Sequence, residues 1–188
     1  DADLAVRARR IEGLDPKVVA TLFWWDAVSP SHDLDEISYD TELMDALVRT
    51  LSVHQEAGRP VFMGDVHWGW NQQQFVYSDA NVERGAKAYA DVIAWLVKEK
   101  GLDCIKYVAI SGEVDLVFES YGGSFESYVK AVTRLRRHLD AAGLKDIDVI
   151  ADKTGGFEWF RRAMARIGDD VGILAIHEYP EESQYGLI

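Results

Sequence analysis

Cysteine is nearly absent from this sequence: Cys104 is the one thiol in 188 residues. That excludes an intrachain disulfide framework and any zinc site built on several cysteines. Cys104 sits in the lead-in to an apolar run, a place for a buried structural thiol rather than a nucleophile. Positive charge is also scarce, with 20 Lys and Arg against 32 Asp and Glu, a net charge of −12. Nucleic acid and anionic membrane both ask for a basic face, so neither is expected as a partner; the acid surplus serves solubility. No apolar run approaches the ~20 residues of a membrane-spanning helix. The first residues, Asp1 to Arg7, do not read as a signal peptide, and the compartment stays open between secreted and cytoplasmic. Repeats, low-complexity segments and a Gly-rich phosphate loop are missing too. What is present is 48% hydrophobic residues, enough to build the core of a single domain over residues 1–188 without staples.

The hydrophobic pattern alternates between two periods. Ala5 to Ile11 is a short amphipathic helix stopped by Gly13 and Pro16. Val18 to Phe23 is a strand by its β-branched and aromatic content. Asp40-Thr41-Glu42 opens a helix with apolar positions Leu43, Leu47, Leu51 and Val53 that closes at Gly58. Arg59 to Gly64 is the next strand. A long helix follows over Val82 to Lys100, with Ala86, Tyr89, Ile93, Leu96 and Val97 as its stripe. Tyr107 to Ile110 is the third strand. Ser124 to Ala142 is a helix with Phe125, Tyr128, Val132, Leu135 and Leu139 facing inward and Gly143 after its end. Ile147 to Ala151, Phe157 to Arg166 and Val171 to Ile176 complete the series as strand, helix and strand.

The order is therefore α followed by βαβαβαβαβ. Regular alternation implies right-handed crossovers and a parallel sheet, so the fold class is α/β. In a parallel sheet every strand ends on the same side, where ligands bind. Here that side receives Trp24, Trp25, Asp26, Asp65, His67, Trp68, Trp70, Asn71, Glu113, Asp152, His177, Glu178 and Tyr179. Two architectures fit: a parallel (β/α) barrel of the TIM type, of which these would be the middle units with strands missing at both ends, or a small doubly wound parallel sheet. A complete eightfold barrel takes about 250 residues.

The residues at these strand ends resemble one family. Ser111-Gly112-Glu113-Val114 follows the third strand; Ala142-Gly143-Leu144-Lys145-Asp146-Ile147 leads into the fourth; His177-Glu178-Tyr179 follows the fifth; an aromatic-rich loop through Trp68 follows Arg59-Pro60-Val61. The ordered set is similar to the retaining glycoside hydrolases of clan A, (β/α)₈ barrels that include cellulases, mannanases, xylosidases and galactanases. The resemblance runs from the family's first helix to its sixth strand. It implies that Glu113 is the catalytic acid/base, that the substrate is a β-linked glycan or glycoside, and that no cofactor is needed. Two features depart from the pattern. Gly112 stands where the family usually carries the Asn that binds the sugar 2-hydroxyl, and the nucleophilic Glu of the seventh strand has no counterpart in the aligned span.

Retaining hydrolysis takes two carboxylates about 5–5.5 Å apart, one as acid/base and one as nucleophile. Glu113 is the candidate for the first; Asp26, Asp65, Asp152 and Glu178 are the other carboxylates at the strand ends, each better suited to capping or orienting. Flat indoles match the apolar C–H faces of sugars and offer an N–H to a hydroxyl, which makes Trp24, Trp25, Trp68 and Trp70 substrate-binding candidates, although one of the Trp24–Trp25 pair must face the layer behind the sheet. Asp26, His67, Asn71, His177 and Tyr179 are further candidates for hydroxyl recognition or for orienting a carboxylate; His32 is a weaker one. His54 and His138 fall on helices and are expected to be solvated. Two other readings remain open: a metal-dependent hydrolase using the Asp65-Val66-His67 pair, and a non-catalytic carbohydrate-binding barrel. An incomplete barrel would also leave sheet edges open to self-association.

Overall fold

A computed structural model describes residues 2–65, 78–110, 123–154 and 157–177. The helices are α1 (Ala2–Leu14), α2 (Glu42–Glu56), α3 (Val82–Lys98), α4 (Phe125–Ala141) and α5 (Phe157–Ile167). The strands are β1 (Val19–Phe23), β2 (Val61–Asp65), β3 (Ile105–Ala109), β4 (Asp148–Thr154) and β5 (Ile173–His177). All neighbouring strands are parallel and their spatial order is β1-β2-β3-β4-β5, the order of the chain itself.

That order selects the architecture. A doubly wound sheet reverses its strand order part-way so that helices cover both faces. A sheet that only ever moves one strand onward, through right-handed crossovers, sends every helix to the same face. This is the winding of a TIM-type (β/α) sheet, and the doubly wound alternative is set aside.

Local chemistry explains the punctuation. Thr41 caps α2, its hydroxyl accepting the Met44 N–H at 3.1 Å, and Ser124 caps α4 in a reciprocal box with Ser127. Gly143 follows α4 at φ +75°, a left-handed conformation that a residue with a Cβ adopts at a cost. Arg136 closes the same corner, its guanidinium donating to the carbonyls of Ile147 at 2.6 Å and Leu144 at 3.1 Å. Gly172 precedes β5 so close to Asp148 that a Cβ there would overlap the carboxylate.

The core lies between the sheet and its helices. At its centre Phe23, Trp25 and Tyr89 form an aromatic triangle, with ring centroids 5.2 Å apart for Phe23–Tyr89 and 5.3 Å for Phe23–Trp25. The Tyr89 hydroxyl donates to the Met63 carbonyl at 2.9 Å, joining α3 to β2. The whole predicted stripe of α4 is buried, and Cys104 is a buried free thiol, its pKa raised by that burial.

Some expectations needed correction. α1 runs through Gly13 to Leu14, because a glycine in an exposed helix costs only about 1 kcal/mol and does not by itself end it. On α2 the buried residue of the first turn is Met44, while Leu43 faces outward. His54 is not solvated but buried, at 6% exposure, and burial lowers its pKa. His138 is half-buried.

Candidate functional site

The carboxyl ends of the strands gather as the alternating pattern requires. Phe23, the last residue of β1, is the register partner of Asp65 at the end of β2. Gly64 pairs with Ala109, the end of β3, and Thr154 at the end of β4 pairs with His177 at the end of β5. The backbone of Asp65 and His177 therefore lies at the rim of one face, alongside the segment that begins at Trp24.

That segment is the best-defined part of the rim. Trp25 to Ala27 form one turn of 3₁₀ helix. Trp25 is 1% exposed and belongs to the core, so it is the member of the tryptophan pair that faces the helix layer. A side chain enclosed by Phe23 and Tyr89 cannot stack on a sugar, which corrects its assignment as a substrate contact. Trp24 is 39% exposed, but it lines a groove beside α2 with Leu43 and Leu47.

Asp26 follows the anchored Trp25 and meets His32. The Nε2 of His32 and the Oδ1 of Asp26 are 2.8 Å apart, and both side chains are half-buried. The loop that carries His32 is tied down on both sides. The Ser29 N–H donates to the Trp25 carbonyl at 2.8 Å and the His32 N–H to the Ser29 carbonyl at 3.0 Å. The Ser29 hydroxyl donates to the Asp33 carbonyl at 2.8 Å, and Thr41 donates to Ala27 at 2.6 Å. His32 itself has φ +58°, a strained conformation for a residue with a side chain that the surrounding bonds hold in place. The result is a fixed imidazole–carboxylate pair at the end of β1. It can donate to and accept from hydroxyl groups without first ordering a loop. Sequence reading ranked His32 low because a histidine six residues from an aspartate in a loop has no periodic signature.

Asp152 does not stand in the loop after β4. The strand continues through it to Thr154, and Asp152 pairs in register with Ala175. His67, Trp68, Trp70, Asn71, Glu113, Glu178 and Tyr179 lie outside the described residues. Glu113 is four positions beyond Ala109, the last residue of β3. The Asp65–His67 metal reading rests on the same undescribed stretch; among the described residues no three His, Cys, Asp or Glu side chains converge.

Comparison with known proteins places the fold. The chain is similar to a GH18 chitinase from Pseudoalteromonas aurantia, with a TM-score of 0.58 and 15% identity over 93% of this chain and 64% of that one. It is also similar to virulence factor SghA from Agrobacterium tumefaciens, with a TM-score of 0.50 and 11% identity over 94% of this chain and 48% of that one. The chain thus spans less than two thirds of the length of either protein. No protein-family model matches it, and no curated protein matches it in sequence. The fold is a (β/α) sheet of the TIM-barrel type, and the resemblance to glycoside hydrolases read from the strand ends holds at the level of fold alone.

Proposed function

We propose that this chain carries part of the active site of a glycoside hydrolase acting on a β-linked glycan or glycoside, with Glu113 as its acid/base. The observation that supports this most is the sequential parallel sheet, which ends β3 at Ala109 on the same side as the segment carrying the Asp26–His32 pair; Glu113 follows Ala109 by four positions in the sequence. A chitinase among the structural neighbours is consistent with it.

In the proposed mechanism Glu113 starts protonated. It gives its proton to the glycosidic oxygen as a second carboxylate attacks the anomeric carbon, so the C–O bond breaks and a glycosyl–enzyme ester forms. Glu113, now ionised, takes a proton from water as that water displaces the carboxylate, and configuration is retained. Trp68 and Trp70 stack on sugar faces. Asp26, His67, Asn71, His177 and Tyr179 bind hydroxyls or orient a carboxylate, and Trp24 extends the apolar surface at the β1 end. No cofactor enters.

Gly112 favours a second reading, a carbohydrate-binding protein without turnover, because glycine offers no side chain to the 2-hydroxyl. The test is hydrolysis of aryl β-glycosides, soluble β-glucans and mannans by the wild type and Glu113→Gln, with EDTA as a third arm. Turnover lost in Glu113→Gln and indifferent to EDTA is the expected result. Turnover abolished by EDTA alone would give the site to a metal-dependent hydrolase. Sugar binding that Trp68→Ala removes, without turnover in any arm, would give it to the binding protein.

A further inference from the structure

The proposed mechanism leaves His32 without a task, although the fold sets it firmly in place. Its backbone is left-handed, at φ +58°, a conformation that favours glycine. Its Nε2 lies 2.8 Å from the Asp26 Oδ1. An ionised carboxylate only accepts, so the imidazole N–H is the donor. Stapling the loop is a poor account of this arrangement. The His32 side chain is 36% exposed and that of Asp26 38%, and a pair so open to water adds little to stability. The loop also has firmer ties of its own. The Ser38 N–H donates to the Val28 carbonyl at 2.8 Å, and the Asp35 N–H donates to the Asp33 carboxylate at 2.9 Å. Backbone strain held beside exposed polar groups points to binding rather than to support.

The pair offers an acceptor that is aimed by a donor. A carboxylate has about four acceptor positions, so the bond from His32 does not exhaust it. From Trp24 to Val48 the sequence contains neither Lys nor Arg, so no ammonium or guanidinium of the same segment competes for Asp26. Arg84, which reaches this loop from α3, pairs with Asp35 at 2.6 Å. A carboxylate presented in this way suits the neutral donors of a polyol, the hydroxyls of a sugar.

The strand order gives the distance to the cleavage point. Phe23 ends β1 and Ala109 ends β3, with β2 between them. Two strand spacings amount to about 10 Å, which is longer than one pyranose ring. A sugar ring being cleaved at the end of β3 does not reach the end of β1, whereas the next unit of the same glycan does.

We infer that Asp26 and His32 form a subsite for the sugar unit that neighbours the one being cleaved. Asp26 accepts that unit's hydroxyls, and His32 is the positioning residue that aims the carboxylate. The inference rests on the proposed function and adds a preference to it, for β-linked oligosaccharides over single glycosides.

The test sets aryl β-monoglycosides against cello- and manno-oligosaccharides of increasing length, in hydrolysis and in titration calorimetry. The proteins are the wild type, His32→Asn, His32→Gly and Asp26→Asn. Asparagine and glycine both accept a positive φ, so the His32 variants should keep the wild-type thermal midpoint. For oligosaccharides, affinity and kcat/KM should fall roughly tenfold, through KM rather than kcat. For monoglycosides the loss should be clearly smaller. Equal losses on both, or no loss on either, overturn the inference and leave the glycosidase reading standing. A length-dependent loss of binding in a chain without turnover supports the subsite and gives the chain to the carbohydrate-binding reading. A wild type that neither binds nor cleaves any of these sugars overturns the proposed function, and the inference falls with it.

Discussion

β1 and β3 are both five-residue strands with similar apolar content, yet they have different fates. In β3, Ile105, Val108 and Ala109 are buried, with only Lys106 fully exposed. In β1 the burial alternates, Thr21 and Phe23 inside, Ala20 and Leu22 outside. The cause is not composition. β3 has a strand on each side and helices behind it, whereas β1 has one neighbouring strand among the described residues. A parallel strand is buried on both faces only where other elements cover both faces. An apolar side chain therefore contributes to stability in proportion to what its neighbours cover.

The comparison can be tested by substitution. The largest effect is expected at Phe23, where alanine removes a fully buried ring from the aromatic triangle and should cost about 3–5 kcal/mol in denaturant unfolding. A loss below about 1 kcal/mol would mean that the triangle is not a packed core. Next is Tyr89→Phe, which keeps the ring but leaves the Met63 carbonyl without its donor, at a cost of about 1–3 kcal/mol.

The third test reads the edge through pH. Burial lowers the His54 pKa below its ordinary value of 6.5. As pH falls below that value the unfolded chain takes up a proton that the folded chain resists, so this contribution reduces stability progressively down to the folded pKa. His54→Gln should flatten the slope of unfolding free energy against pH below about 6.5; an unchanged slope would show that the imidazole is not held neutral. The smallest effect belongs to Leu22, the sequence neighbour of Phe23. Leu22→Ala should change stability by no more than about 0.5 kcal/mol, since the side chain is 52% exposed. A large loss there would mean that Leu22 is packed in solution.

The sequence alone determined a good deal. The βα alternation, the parallel sheet and the inner stripe of α4 were legible because they follow from period and from short-range chemistry: capping hydroxyls at Thr41 and Ser124, and a left-handed position at Gly143. It also determined that Trp24, Trp25 and Asp26 lie at the end of a strand. Tertiary structure decided the rest, because those choices depend on which groups meet across the fold. It placed Trp25 in the core by packing it on Tyr89, 64 positions away in the chain numbering. It joined His32 to Asp26 through a strained loop conformation that no periodicity encodes, and it buried His54 on a helix face that sequence alone would have left in water. The same strands could have been wound to either side of a sheet; their spatial order, fixed by long-range pairing, made the helices a single layer and put β1 and β5 at the two ends of the described strand order.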